Sequence, residues 1–140
     1  MTGASQTRPA HGVARHLGAA PAGGVEAWEP FKVYAAREIE AAPFWDRGVC
    51  FNAGCGRRFE PRRDWQMFCC EACERAFVAE ARLWGHRMAP ALLVHRMGKW
   101  EREDAARRDL VRAARRFVTQ AQSGWVQVRA ARDRAAGVVR

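Results

Sequence analysis

The sequence predicts a small α+β fold: a β-hairpin and a helix around a bound metal ion, followed by an Arg-rich helical extension. Three observations lead there. All five cysteines fall within residues 50–73. The short runs 57–60 and 66–69, on either side of a loop that opens at Pro61, suit a β-hairpin. From Glu71 onward, apolar residues return at helical spacing.

Residues 1–24 are almost entirely Gly, Ala, Pro, Ser, Thr and His, with Val13 and Leu17 the larger aliphatics after Met1. Such a segment has too little apolar area to offset its ordering entropy, so a disordered tail is expected. Residues 25–46 read as a helical or irregular lead-in. Trp28, Phe31, Tyr34 and Ile39 suit one face of a short helix, with Pro30 tolerated near its first turn. The metal module is expected over residues 47–85. Its helix carries Cys73, Phe77, Ala81 and Trp84 at i, i+4, i+8 and i+11, and Gly85 should stop it. Residues 86–140 form a basic helical region. One helix should start near Ala89-Pro90 and weaken at Gly98. A stronger one is expected over about 101–122, with Leu110, Ala114, Phe117, Val118 and Ala121 as its apolar stripe. Ser123-Gly124 reads as a break before a short last helix over 125–136, with Val128 as its main apolar contact.

The cysteines decide the chemistry. Thirteen residues separate the pair Cys50/Cys55 from the pair Cys69/Cys73. Zinc takes four tetrahedral ligands, and two close pairs across a short hairpin can supply them. A disulfide framework would spread its cysteines through the chain, whereas a local cluster favours metal. The second pair is ambiguous from spacing alone, because Cys70 also makes a C-x-x-C with Cys73. Phe59 and Phe68 should form a small core against the metal, and Cys73 should lie in the first turn of the following helix, whose N-terminus favours the site's negative charge.

The register of Cys55-Gly56, Phe59, Pro61, Arg63, Gln66, Phe68-Cys69 and Cys73 resembles that of bacterial and phage treble-clef zinc fingers. The likeness covers residues 50–73, with C-x4-C in place of C-x2-C and Cys70 where a helix-capping Ser is usual. It implies a treble-clef-like hairpin and helix, one structural Zn2+, and Cys50, Cys55, Cys69 and Cys73 as its ligands. A thiol is a poorer helix cap than a hydroxyl. Four thiolates leave no open coordination position, and the chain assembles no nucleophile, base and oxyanion hole, so no enzyme is expected. His86 and His95 read as ordinary surface or packing residues, because the paired His and Asn ligands of the treble-clef nucleases are missing.

The formal charge of +9 belongs to residues 50–140, which hold nineteen basic and ten acidic side chains; residues 1–49 hold five of each. Arg57, Arg58, Arg62 and Arg63 crowd the hairpin beside Trp65, and Arg108, Arg112, Arg115 and Arg116 lie off the apolar stripe of the strongest helix. Basic side chains beside an exposed aromatic suit phosphate contact and base stacking. The expected function is therefore zinc-stabilised nucleic-acid binding, to DNA or RNA backbone and first to DNA, with a regulatory or phage-derived role suggested by the resemblance. The alternative is a zinc-stabilised protein-interaction adaptor. Trp84, Trp100 and Trp125 are expected to pack within the chain, or else to anchor a protein partner or a homodimer. With 22 of 24 basic residues Arg, a coding bias accounts for part of the Arg content. No apolar run reaches membrane length and no signal segment is evident, so a cytoplasmic protein is expected.

Overall fold

The computed structural model describes residues 24–139. The disordered tail expected over residues 1–24 lies, but for Gly24, outside them. Two compact units divide the chain after Pro43.

In the first unit, a 3-10 turn over Gly24–Ala27 precedes helix α1 (Phe31–Tyr34) and helix α2 (Ala36–Ala41). Pro30 has no N–H to give, so it caps the segment, and its carbonyl accepts from the Val33 and Tyr34 amides at 2.8 and 3.0 Å. Trp28 therefore lies outside the helix. Ala35, at φ −106°, separates α1 from α2. Trp28, Phe31 and Tyr34 are exposed, whereas Ala35 is buried.

The second unit carries a long irregular segment and two long helices, α3 (Glu71–Met97) and α4 (Ala105–Ala135). This corrects the α+β expectation: the protein is mostly helical, and the treble-clef hairpin is not formed. Among the described residues the β pairing is one isolated antiparallel bridge, Val49 with Arg58. The runs expected as strands, 57–60 and 66–69, do not pair with each other. The first meets residues 48–50 instead, through Cys50 N–H to Arg57 O (2.9 Å) and Phe59 N–H to Gly48 O (2.8 Å). The second adds one bond, from the Phe51 amide to Met67 O (2.8 Å). The physical reason is local competition. Pro61 has no donor, the Arg62 amide bonds the Gln66 side chain (2.8 Å), and the Gln66 amide bonds Arg63 O (3.0 Å). These turn bonds use the groups that a ladder would need.

Glycine and proline break less than expected. Helix α3 runs through Gly85 and holds Pro90 in its interior, and α4 runs through Ser123-Gly124. Interior Gly costs about 1 kcal/mol and Pro about 3, and packing between the two helices offsets this. Trp84 stacks on Trp125 with ring centroids 5.9 Å apart and planes at 11°, and the Trp84 ring also lies over the bare backbone of Gly124. Helix α3 ends at Gly98, where it comes so close to the facing helix that a Cβ would overlap Val111 Cγ2. Asp104 then caps α4, accepting from the Arg107 amide at 3.2 Å. The inward stripe of α4 is Val111, Ala114, Val118, Ala121 and Trp125, while Leu110, Phe117 and Val128 stay exposed. The expected stripe had the right period, but the packed face lies to one side of it.

Candidate metal centre

The centre begins at the loop of residues 50–57. The Val49–Arg58 bridge holds the two ends of this loop together, and Gly54 and Gly56 take positive φ values of 81° and 55° inside it. That geometry suits glycine, which has no Cβ to clash there. It turns the chain so that Cys50 and Cys55 face inward. Cys69 follows the Phe51–Met67 contact, and Cys73 lies in the first turn of α3.

The four sulfurs of Cys50, Cys55, Cys69 and Cys73 all lie within 4.8 Å of one another, so this cluster can hold a metal ion. Cys55 Sγ to Cys69 Sγ measures 3.8 Å, and Cys69 Sγ to Cys73 Sγ 3.7 Å. Four thiolates bound tetrahedrally at a Zn–S length of about 2.3 Å would stand about 3.8 Å apart, which these two separations match. Burial among neighbouring thiols pushes the Cys69 thiol far up, and burial raises Cys73 to about 11. The Arg57 amide lowers Cys55. Crowded thiols of this kind ionise together when a cation shares the site. The Cys69 amide, 3.5 Å from Cys50 Sγ, donates toward a further sulfur.

Cys70 stands apart. Its Sγ is 3.8 Å from Cys69 Sγ, but the residue is exposed and does not belong to the four-sulfur group. It is the N-cap of α3 and its side chain makes no capping bond.

The aromatic layer differs from the expected Phe59/Phe68 pair. Phe51 packs edge-on against Phe44, Phe68 and Phe77, with centroids at 5.6, 6.3 and 5.6 Å. Phe59 lines a polar hollow with Arg47, Gly48, Arg58, Glu60 and Pro61 instead.

The C-terminal end of α4 closes over the loop. Asp133, with 6% of its surface exposed, accepts from the Gly54 amide at 3.1 Å. Arg129 donates to Phe51 O, and its guanidinium lies 4.1 Å over the Phe51 ring. Glu80 joins the helices, accepting from Trp125 Nε1 (3.0 Å) and Arg132 (2.5 Å). Val138 lies so close to Gly56 that a Cβ there would overlap its side chain. Sequence reasoning missed these contacts. The one signal in the sequence was Asp133, a single acid among Arg129, Arg132 and Arg134.

The arginines expected at a nucleic acid fall into two groups. Arg57, Arg58, Arg62 and Arg63 are exposed on the irregular segment, and the Arg63 guanidinium lies 5.0 Å over the ring of Trp65, itself 57% exposed. Arg108, Arg112, Arg115 and Arg116 are exposed on α4, within an arc of about 100° at 3.6 residues per turn. Arg108 donates to Arg102 O, and Arg112 pairs with Asp109. Bonding to Arg112, with the charges of Arg112, Arg108 and Arg116, holds Asp109 below the usual carboxylate range. The metal loop contacts α4 at residues 129–133, so the α4 group lies about 20–38 Å along the helix from that contact at 1.5 Å per residue. The two groups are not one patch. His86 is exposed and His95 half-buried; neither belongs to the sulfur cluster.

No family model matches the chain, and no curated protein or solved structure matches it. No described helix is long and apolar enough to cross a membrane.

Proposed function

We propose that the four thiolates hold one Zn2+ as a structural ion, and that the folded chain binds nucleic acid, DNA first. Soft thiolates in a tetrahedral set suit zinc. On this reading the ion has no open position for water or substrate. It contributes folding energy rather than chemistry, and the chain is not an enzyme. Four free thiols belong in a reducing compartment, which makes the cytoplasm the proposed location.

The disposition of the arginines carries the nucleic-acid reading. Arg108, Arg112, Arg115 and Arg116 form one solvent-facing stripe, able to follow a line of phosphates. Arg57, Arg58, Arg62 and Arg63 surround Trp65, an exposed ring on which a base can stack. Arg129 and Arg132 are taken up by internal contacts and are not assigned to the interface.

Fluorescence-anisotropy titration of the zinc-loaded chain on duplex and single-stranded DNA, at two salt concentrations, tests this. Micromolar binding that weakens steeply with salt is the expected result. Replacing all four α4 arginines by Ala should reduce the salt slope by about one for each phosphate no longer neutralised. Absence of binding at low salt would sink the reading in favour of a protein-interaction adaptor, for which the exposed Trp28, Phe31 and Tyr34 are the best support.

A further inference from the structure

We propose that a second copy of this chain covers one apolar side of the α3–α4 hairpin, making the protein a two-fold dimer. Away from the metal centre the hairpin has almost no core of its own. Helix α3 has no fully buried residue, and in α4 these are Ala114 and Asp133. Two helices about 40 and 46 Å long thus pack along a single line and leave their flanks to solvent.

One flank is apolar. At 100° per residue, Leu83 and Met97 of α3 project to the same side as Leu110, Phe117 and Val128 of α4. All five are exposed, Leu83 at 72% and Phe117 at 43%. The helices are antiparallel, with Gly98 against Val111 and Trp84 against Trp125. This sets Met97 level with Leu110 and Leu83 within a turn of Val128, so the five residues form a band and not scattered points.

Charge and size both favour a second copy as the occupant. By the same helical geometry, Arg87 is the one charged residue within the band, among those described. Arg108, Arg112, Arg115 and Arg116 project from the opposite side of α4, so two chains of formal charge +9 can meet here without opposing their basic stripes. A flank about 40 Å long and about 20 Å wide offers about 800 Å² per copy, the area each partner of a stable pair usually buries. Self-pairing of this face is isologous and gives a four-helix bundle, the ordinary way for helical hairpins to bury a second stripe.

Sedimentation equilibrium of the zinc-loaded full chain at micromolar concentration should give twice the chain mass. Phe117→Glu and Leu83→Glu should each weaken the dimer about tenfold or more, with metal content and helical circular dichroism unchanged. A monomeric wild-type chain overturns the proposal and leaves the band to a different partner. A dimer indifferent to both substitutions also overturns it, because the copies would then meet through another surface.

Discussion

The two ends of the α3–α4 hairpin are built on different principles. At the metal end, contacts are specific and polar. Asp133 meets the Gly54 amide, Arg129 meets Phe51, and Glu80 receives both Trp125 and Arg132. At the far end, contact comes from close approach of small residues, with Gly98 beneath Val111 and Ala114 buried, while Leu110 and Met97 face solvent. With an ion bound, the four-cysteine cluster would do at one end what a hydrophobic core does elsewhere. Among the described residues the other end has no such cluster and little core. A short chain can therefore order a long hairpin by concentrating its long-range bonds around one site and leaving the flanks of the helices exposed.

The largest effect expected on this contrast comes from the sulfurs. Cys69→Ser should remove the ion and with it most of the stability of the metal end, on the order of 10 kcal/mol of binding-linked folding energy. Elemental analysis and thermal melting read this together, and a full complement of metal with an unchanged melt would refute the assignment. Asp133→Ala should leave the Gly54 amide without its acceptor and cost about 1–3 kcal/mol. It should also speed metal loss to a chelator, which a contact unrelated to the loop would not do. Gly98→Ala tests the far end: its Cβ would overlap Val111, costing about 1–2 kcal/mol in melting while chelator kinetics stay at the wild-type rate. If Gly98→Ala speeds metal release as much as Asp133→Ala does, the two ends are one cooperative unit and the contrast fails. The smallest change is Cys70→Ser. Metal content should hold, and the hydroxyl should cap α3 better by about 0.5 kcal/mol. Loss of metal there would move the ligand set to Cys70.

Much of the candidate site was legible because its residues lie close in sequence. Two cysteine pairs, Gly56 after Cys55 and the helix that starts after Cys70 are short-range features, and short-range geometry brings four sulfurs together. The hairpin was misread for an equally local reason: Gln66 and Arg63 satisfy the backbone groups that strands would have paired. The helix ends were misjudged because Gly85, Pro90 and Gly124 carry unfavourable local propensities that packing between α3 and α4 outweighs.

By itself, the sequence determined that residues 50–73 would gather thiols, that the chain after Glu71 would be largely helical, and that the basic excess would belong to residues 50–140. These follow from spacing, periodicity and composition, which act over a few turns of chain. The tertiary structure decided which apolar stripe of α4 faces inward and which arginines remain on the surface. It also placed Asp133 and Arg129 on a loop more than seventy residues away. Antiparallel packing of α3 and α4 brings that far end of the chain back to the thiols, and no local signal specifies the approach of two segments so distant in sequence.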